Sequence, residues 1–114
     1  SSYANQKNIL LIPGIQTPSE IMQASEAGHK ILKFFPAELS GGVDRINAYK
    51  SVFPDITFIP TGGINETNMS NYLNLSNVIA IGSSSMIPSN LIEEKLWNEI
   101  TQRLKNFKIL TSKL

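Results

Sequence analysis

Apolar runs alternate with polar segments in a regular order along the chain. Four short runs begin at residues 9, 31, 56 and 78, at spacings of about 22 to 25 residues. Continuous apolar runs of this length are typical of parallel strands that helices cover on both faces. The spacing is that of a strand, a loop and a helix. The pattern therefore predicts four βα units, with strands at Ile9–Ile12, Ile31–Phe35, Ile56–Ile59 and Val78–Ile81.

Capping residues mark the helices between these runs. Thr17-Pro18-Ser19-Glu20 has the pattern of a capping box, with Thr17 at the N-cap and Glu20 at the third helical position. This helix should run to about Ala27 and end at Gly28, since glycine commonly follows a helix. Three further helices are predicted after Gly41-Gly42 as far as Val52, from Asn65 onwards, and from about Asn90 to about Phe107.

The predicted fold class is α/β with four βα units and parallel strands. A closed (β/α)8 barrel has eight such units and usually more than about 200 residues. Residues 9–107 could therefore form a small open sheet or one half of a barrel. Residues 1–8 are expected as a polar lead and residues 108–114 as a C-terminal tail. An open half would expose strand edges and an apolar face, so we expect a homo-oligomer.

Composition narrows the classes of partner and compartment. The chain has 114 residues, 41% of them hydrophobic and 17% charged, which is typical of a globular domain. Its net charge of +1 predicts neither nucleic acid nor a membrane surface as a partner. The absence of cysteine excludes disulfides and thiolate chemistry, and a cytoplasmic location is expected. The last residues, Ser112-Lys113-Leu114, match a peroxisomal address, which is the alternative location.

Lys33 is an unusual residue for the apolar run in which it stands. On a strand, Lys33 would share one face with Ile31 and Phe35. This face lies near the carboxyl end of the strand, where the active sites of α/β folds are found. A desolvated lysine loses its proton more easily and can then attack a carbonyl group to form a Schiff base. The alternative is a lysine on an edge strand whose ammonium group reaches water.

Two loops of small residues follow the third and fourth predicted strands, at Pro60–Asn65 and Ile81–Pro88. Their glycines allow backbone N–H groups to approach an anion closely, and their serines add hydroxyl donors. The loops after strands seven and eight of a barrel often bind phosphate. If the four strands are the last four of eight, these loops form a phosphate site; ordinary tight turns favour the same residues. The candidates are Gly62, Gly63, Gly82, Ser83 and Ser84.

These motifs together resemble a known family. The segments LIPGIQTPSE, KFFPAE, GG at residues 41–42, PTGGI and IGSSSM occur in the order and spacing of the 2-keto-3-deoxy-6-phosphogluconate (KDPG) and 4-hydroxy-2-oxoglutarate (KHG) aldolases. The resemblance covers residues 9–107 and implies the C-terminal half of a (β/α)8 TIM barrel. It also implies a class I aldolase that cleaves KDPG to pyruvate and glyceraldehyde 3-phosphate, or KHG to pyruvate and glyoxylate. The implied partner is a small 2-keto acid, with no metal and no organic cofactor.

The resemblance also implies roles for individual residues. Lys33 corresponds to the lysine that forms the Schiff base with pyruvate, and Phe35 and Pro13 correspond to residues that contact the substrate. The family commonly has a glycine at the position of Ser83. The phosphate loops correspond to Thr61, Gly62, Gly63, Gly82, Ser83 and Ser84.

The first four βα units of the family have no counterpart in these 114 residues. In the family they carry the glutamate that moves protons and an arginine that binds the substrate carboxylate. Glu38, on the loop after Lys33, is not assigned to the role of that glutamate, and a solvated loop residue is its simpler interpretation. The expected activity of the chain alone is therefore imine formation with impaired turnover.

Two other classes of function remain open. One is a phosphate-binding half-barrel of another isomerase or synthase, which would not form a covalent adduct with pyruvate. The other is a non-catalytic module that associates with itself through its open face. Borohydride trapping with pyruvate distinguishes the first from an aldolase, and the size of the protein in solution bears on the second.

Overall fold

The computed structural model describes residues 1–112. Its sheet has three parallel strands, β1 (Gly14–Ile15), β2 (Ile31–Phe34) and β3 (Thr57–Pro60), in the order β1-β2-β3. Lys33 lies opposite Gly14 of β1 and Ile59 of β3, so β2 is the central strand. The predicted α/β class with parallel strands is confirmed.

Six α-helices and two short 3-10 helices accompany the sheet in the part of the chain that the structure describes. The α-helices are α1 (Ser2–Gln6), α2 (Pro18–Glu26), α3 (Gly42–Val52), α4 (Met69–Leu73), α5 (Ser89–Glu93) and α6 (Trp97–Ser112). The 3-10 helices are Glu38–Ser40 and Ser84–Met86. The expected polar lead, residues 1–8, thus includes a helix, and none of the residues of α1 is buried.

The prediction of a strand at Ile9–Ile12 is wrong, because the first strand is Gly14–Ile15. The register explains the difference. Gly14 lies opposite Lys33, which places residue 12 level with Ile31, the first residue of β2. Residues 9–11 therefore extend past the end of the sheet, where β2 offers no backbone partner. Their apolar side chains are exposed instead of buried.

The prediction of a full strand at Val78–Ile81 is also wrong. This segment meets β3 only at two isolated bridges, Phe58 with Val78 and Thr61 with Gly82. The backbone N–H of Gly82 donates to the carbonyl of Pro60 at 2.9 Å, so the segment follows β3 but does not form a continuous ladder with it. Among the described residues no further strand pairs with its outer edge. The fourth predicted unit is therefore present as an irregular edge.

Two predicted helices differ at their boundaries for local reasons. α4 begins at Met69 and not at Asn65, because the Asn65 side chain closes a turn ahead of the helix. Its Oδ1 accepts from the N–H of Thr67 at 2.9 Å and from the hydroxyl of the same residue at 2.6 Å. Such bonds from an asparagine side chain to the backbone nearby compete with helix formation.

The last predicted helix, from about Asn90 to Phe107, is two helices. Lys95 has a φ of 56°, in the left-handed region, and separates α5 from α6. α6 continues to Ser112, so residues 108–112 of the expected tail are helical. Lys113 and Leu114 of the matched peroxisomal address lie outside the described residues. No helix within residues 1–112 is long and apolar enough to span a membrane.

Helices cover only one face of the sheet. Leu32 and Phe34 of β2 and Phe58 of β3 point to this face and are fully buried, and Ile46 and Tyr49 of α3 pack with them. The ring of Phe34 meets those of Tyr49 and Phe58 edge to face, with 6.2 Å between the centroids of Phe34 and Tyr49. The opposite face of β2 carries a half-buried Ile31 and an exposed Lys33. The core therefore lies on one side of the sheet, and Lys33 lies on the open side.

The predicted capping box at the start of α2 is confirmed. The N–H of Glu20 donates to Thr17 Oγ1 at 3.4 Å, and the N–H groups of Thr17 and Gln16 donate to the Glu20 carboxylate at 2.8 and 2.7 Å. These backbone donors favour the ionised carboxyl and hold the pKa of Glu20 below its ordinary value of 4.5.

This shift predicts a pH-dependent contribution to stability. Because the pKa of Glu20 is lowered in the folded state, its stabilisation is present above 4.5 and is lost as the pH falls through the folded-state pKa. Glu20→Gln should therefore lower the Tm at neutral pH, and the difference from the wild type should disappear in strong acid. Circular dichroism melts across a pH series measure this. Glu26→Gln, in the last turn of α2, is the matched control; a pH-independent effect of Glu20→Gln would contradict the prediction.

Candidate active site

Lys33 lies on the central strand, close to its carboxyl end. Its backbone N–H donates to the carbonyl of Pro13 at 2.9 Å, which brings Pro13 beside the lysine. The edge strand of the alternative interpretation is therefore wrong, since β1 and β3 flank β2, whereas its exposed lysine side chain is confirmed. The expectation of a buried amine is also not met in this chain, because Lys33 is exposed. The physical reason is that no layer within residues 1–112 covers the open face of the sheet.

The ring of Phe35 connects Lys33 to the first glycine loop. The ammonium nitrogen of Lys33 lies 5.3 Å from the centroid of this ring, and the ring is half-exposed on the same side. The other contact of the ring is with Gly62, where a Cβ atom would come within 3.2 Å of two ring carbons. Gly62 also has a φ of 102°, which side chains rarely adopt. The structure thus brings together Lys33, Phe35 and Gly62 as the sequence predicted.

Backbone hydrogen bonds hold the loop after β2 against the loop after β3. The N–H of Ala37 donates to the carbonyl of Thr61 at 2.8 Å, and the N–H of Glu38 donates to that of Gly62 at 3.2 Å. In the other direction, the N–H of Thr61 donates to the carbonyl of Phe34 at 2.9 Å. The position of Lys33 relative to the glycines is therefore set by main-chain contacts.

The two predicted phosphate loops adjoin at two points. Thr61 and Gly82 form a bridge, and a Cβ atom at Gly82 would lie 2.5 Å from Thr61 Oγ1, so the approach requires glycine. Further along, the hydroxyl of Ser83 donates to the carbonyl of Ile64. Ser85 Oγ lies 2.8 Å from Ser83 Oγ and 3.3 Å from the same carbonyl. Gly62 and Gly63 are therefore held beside the serine loop.

These contacts change what the serine hydroxyls can do. Ser83 and Ser85 have one hydroxyl hydrogen each, and both hydrogens are directed within the Ser83, Ser85 and Ile64 cluster. The hydroxyl of Ser83, predicted as a phosphate ligand, is therefore a link between loops. Ser84 is exposed, and its hydroxyl makes no hydrogen bond within residues 1–112. The N–H groups of Gly62 and Gly63 also have no acceptor in this part of the chain.

Arg103 holds the serine loop from α6 and was not a predicted site residue. Its Nε and Nη2 donate to the carbonyl of Ser85 at 3.1 and 2.9 Å. Nη2 also lies 3.2 Å from Glu66 Oε1, and the guanidinium group lies 5.8 Å from the ring centroid of Phe107. One arginine thus ties α6 to both loops. The sequence signal was weak, a single basic residue one turn before an aromatic one.

Glu38 and Tyr72 form a second contact that the sequence did not reveal. The hydroxyl of Tyr72, on α4, donates to the Glu38 carboxylate, although 34 positions separate the two residues. Tyr72 is fully buried, and its burial together with the adjacent Glu38 carboxylate raises the pKa of its hydroxyl. Glu38 is exposed, as its simpler interpretation expected, but its carboxylate has a partner because it accepts this hydrogen bond.

A surface concavity lies away from Lys33. It has a volume of about 530 Å³ and lies between α6 and the segment before it, with Glu66, Pro88 and Arg103 in its wall. Lys33 is not among the residues that line this concavity. No group of three or more metal-ligating side chains occurs within residues 1–112.

Comparison with known proteins gives consistent matches. The family model described as KDPG and KHG aldolase matches residues 1–103. The 2-dehydro-3-deoxy-phosphogluconate aldolase of Pseudoalteromonas atlantica is 48% identical over 101 residues, which are 89% of this chain and 47% of that protein. The KHG/KDPG aldolase of Escherichia coli strain K12 is 42% identical over 99 residues, which are 87% of this chain and 46% of that protein.

A solved structure matches at the level of the fold. KDPG aldolase from Legionella pneumophila, with pyruvate captured at low pH as a covalent carbinolamine intermediate, superimposes with a TM-score of 0.84 at 42% identity. The match covers 89% of this chain and 50% of that one. The chain thus spans about half the length of the relatives that it matches.

The close approach at Gly82 gives a testable prediction. Gly82→Ala should destabilise the fold by about 1–3 kcal/mol, because the new methyl group would overlap Thr61 and push the two loops apart. Gly14→Ala is the matched control, since a Cβ atom there meets nothing within 4 Å. Urea unfolding of both variants measures the difference. Equal effects at the two positions would show that the approach of the loops is not tightly packed.

Proposed function

Because the chain belongs to the KDPG and KHG aldolase family, we propose that it is the Schiff-base half of a class I aldolase. The substrates are KDPG, cleaved to pyruvate and glyceraldehyde 3-phosphate, and KHG, cleaved to pyruvate and glyoxylate. The single observation that supports this most strongly is the position of Lys33, beside Phe35 at the carboxyl end of the central strand. The Legionella relative supports it further, since a carbinolamine is the adduct of an amine and a carbonyl group.

In this mechanism Lys33 is the nucleophile. Its neutral amine attacks the ketone carbon of the 2-keto acid, the oxygen gains a proton, and loss of water leaves a protonated imine. The electrons of the C3–C4 bond then move into the imine to form an enamine, while the C4 hydroxyl loses its proton and leaves as an aldehyde. Protonation of the enamine at C3 and hydrolysis release pyruvate and return the lysine. The reaction balances without a metal or an organic cofactor.

The open face of the sheet must be covered for this chemistry to be efficient. A desolvated lysine is more easily deprotonated, whereas Lys33 is exposed in the described chain. We infer that four further βα units cover this face in the active enzyme, because the relatives are about twice as long. Those units would also supply a general base, whose contribution is typically about 10²–10⁴-fold.

The glycine and serine loops would bind the phosphate of KDPG. The N–H groups of Gly62 and Gly63 have no acceptor within residues 1–112, and the Ser84 hydroxyl is likewise available. Backbone N–H groups in such a concave arrangement can bind an anion without a lysine or an arginine. KHG has no phosphate, so these loops would contribute to binding only one of the two substrates. Phe35 and Pro13 would contact the part of the substrate next to Lys33.

Borohydride trapping with pyruvate tests the role of Lys33. We expect a pyruvate adduct on Lys33 when this chain replaces the matching half of the Pseudoalteromonas aldolase. The other half of that aldolase remains in the hybrid and restores a cover over the open face. Lys33→Ala should abolish the adduct, and Lys30→Ala should retain it, since Lys30 precedes the strand. Peptide mass spectrometry locates the label. An adduct on another lysine, or none, would refute the proposal, and the latter would favour another phosphate-binding isomerase or synthase.

The 114-residue chain alone should form the same adduct but turn over slowly. Without a general base from further units, we expect cleavage of KDPG to be about 10²–10⁴-fold slower than in the hybrid protein. A coupled assay for pyruvate release measures both. Equal rates would mean that this chain contains its own base.

The open face also leads us to propose self-association. Apolar side chains remain exposed on the described chain, among them Leu10 (77%), Ile79 (56%) and Phe35 (51%), and such surfaces favour association. Sedimentation should give a dimer or a larger species. Ile59→Lys, which places a charge opposite Lys33, should weaken the assembly, and Met22→Lys, exposed on α2, should not. A monomeric wild-type chain would contradict this proposal and leave the proposed aldolase chemistry unaffected.

A further inference from the structure

The contact between Glu38 and Tyr72 lies at the junction of the two site loops, and the mechanism above uses neither side chain. Glu38 begins the 3-10 helix after β2, and its N–H donates to the carbonyl of Gly62. Tyr72 reaches it from α4 with a hydroxyl group that donates to Oε1. The backbone of Glu38 therefore binds to the loop that is proposed to bind phosphate, and this contact keeps the Glu38 carboxylate close to that loop.

The aliphatic part of the Glu38 side chain lies against Gly63, and its carboxylate lies towards α3. A Cβ atom at Gly63 would lie 2.6 Å from Glu38 Cγ and 2.7 Å from Glu38 Cβ, so the aliphatic part rests on the glycine. The oxygen Oε1 lies 3.4 Å from the corresponding position at Gly42, the first residue of α3. The negative charge is thus held at the amino end of a helix, where the helix dipole favours it.

Rotation of this side chain would move the charge to the phosphate loop. The carboxyl carbon is one bond beyond Cγ, and Cγ already contacts Gly63. A carboxylate turned towards Gly62 and Gly63 would accept hydrogen bonds from their free N–H groups or repel an incoming anion. The bond from Tyr72 opposes this rotation, because it holds Oε1 on the side of α3.

We propose that Tyr72 is a positioning residue that sets the preference for a phosphorylated substrate, by holding the Glu38 carboxylate away from the N–H groups of Gly62 and Gly63. This inference rests on the proposed function, since it assigns those groups to phosphate. Its consequence is specific. Loss of the Tyr72 hydroxyl should weaken binding of phosphate and of KDPG, whereas KHG, which has no phosphate, should be unaffected.

The surroundings of Glu38 support this role for the hydroxyl. The nearest basic side chain on α3, Arg45, lies against Gly41, with its Cβ 3.0 Å and its Nε 3.1 Å from the position of a Cβ atom there. Within residues 1–112 Arg45 makes no ion pair with Glu38. Burial and the carboxylate raise the pKa of Tyr72, so the hydroxyl stays protonated and acts only as a donor to Glu38. Tyr72 is thus the side chain that orients the charge.

The test is a titration of the 114-residue chain with inorganic phosphate, followed by NMR through the amide signals of Gly62 and Gly63. Tyr72→Phe keeps the buried ring and removes the hydroxyl, and we expect the phosphate Kd to rise about three- to tenfold, as for a unit charge brought within several ångströms. Adding Glu38→Gln to this variant should restore the Kd to within about twofold of the wild-type value, because the displaced charge is gone.

The matched control is Tyr49→Phe, which removes another buried hydroxyl, one without a hydrogen-bond partner in the described chain. It should leave phosphate binding unchanged. A merely structural role for Tyr72 would give a loss that Glu38→Gln does not rescue, and that result would overturn the inference. An unchanged Kd in Tyr72→Phe would overturn it as well.

Two further outcomes separate this inference from the proposed function. If Tyr72→Phe fails to fold, Glu38→Gln alone decides, because it should bind phosphate at least as tightly as the wild type; weaker binding would overturn the inference. If phosphate shifts neither glycine amide in the wild type, both the inference and the phosphate site are wrong. Borohydride trapping with pyruvate involves no phosphate, so it would still test the proposed role of Lys33 independently.

Discussion

The geometry around Lys33 depends on how closely the loop after β2 approaches the loop after β3. Main-chain hydrogen bonds bring the two together, and Gly62 and Gly63 leave room for the approach. A methyl group at Gly63 would overlap the side chain of Glu38, and one at Gly62 would crowd the ring of Phe35 and the backbone of Pro36. These glycines therefore have two functions. They permit the contact that orients the lysine loop, and they leave free N–H groups at the same place.

A second constraint is that the sheet is covered on one side only. Phe34 and Phe58 are fully buried beneath the helices, whereas Lys33, between them in the sheet but on the other face, is exposed. The core thus explains why the half can fold around its own helices, because the apolar area that it buries does not involve the face with the lysine. Burial of the core and the proposed chemistry of Lys33 therefore involve different faces of the sheet. The core is formed by the described residues, whereas the proposed chemistry would need a cover over the face with the lysine.

The parts of the fold that could be predicted from sequence are those set by neighbouring residues. The capping box of α2, the strand around Lys33 and the helix after Gly41 follow from patterns a few residues long. The errors arose where the structure of a segment depends on backbone contacts with residues far away in the sequence. The position of β1 depends on its register with β2, and the fourth strand is interrupted because it meets β3 only at its ends.

The candidate site also contains residues that local sequence places and residues that distant contacts place. Lys33, Phe35 and the glycine loop could be predicted because motif and strand position suffice to place them together. Tyr72 could not, since its partner Glu38 is 34 positions away and no motif in the sequence links the two residues. Arg103 was missed for a similar reason. Its acceptor is a backbone carbonyl, and because every residue has one, the sequence does not identify this acceptor.

Ser83 illustrates how a serine in a loop of small residues can bind the neighbouring loop instead of a ligand. The resemblance places a glycine there in the family, and the serine in this chain uses its hydroxyl to join the two loops through Ile64. Since Ser85 is engaged in the same cluster, two of the three serines are removed from the set of possible anion donors. In the proposed phosphate site, the N–H groups of Gly62 and Gly63 and the hydroxyl of Ser84 would then provide the anion contacts. An anion site of this kind depends on main-chain geometry, which is why the orientation of the one carboxylate beside it matters.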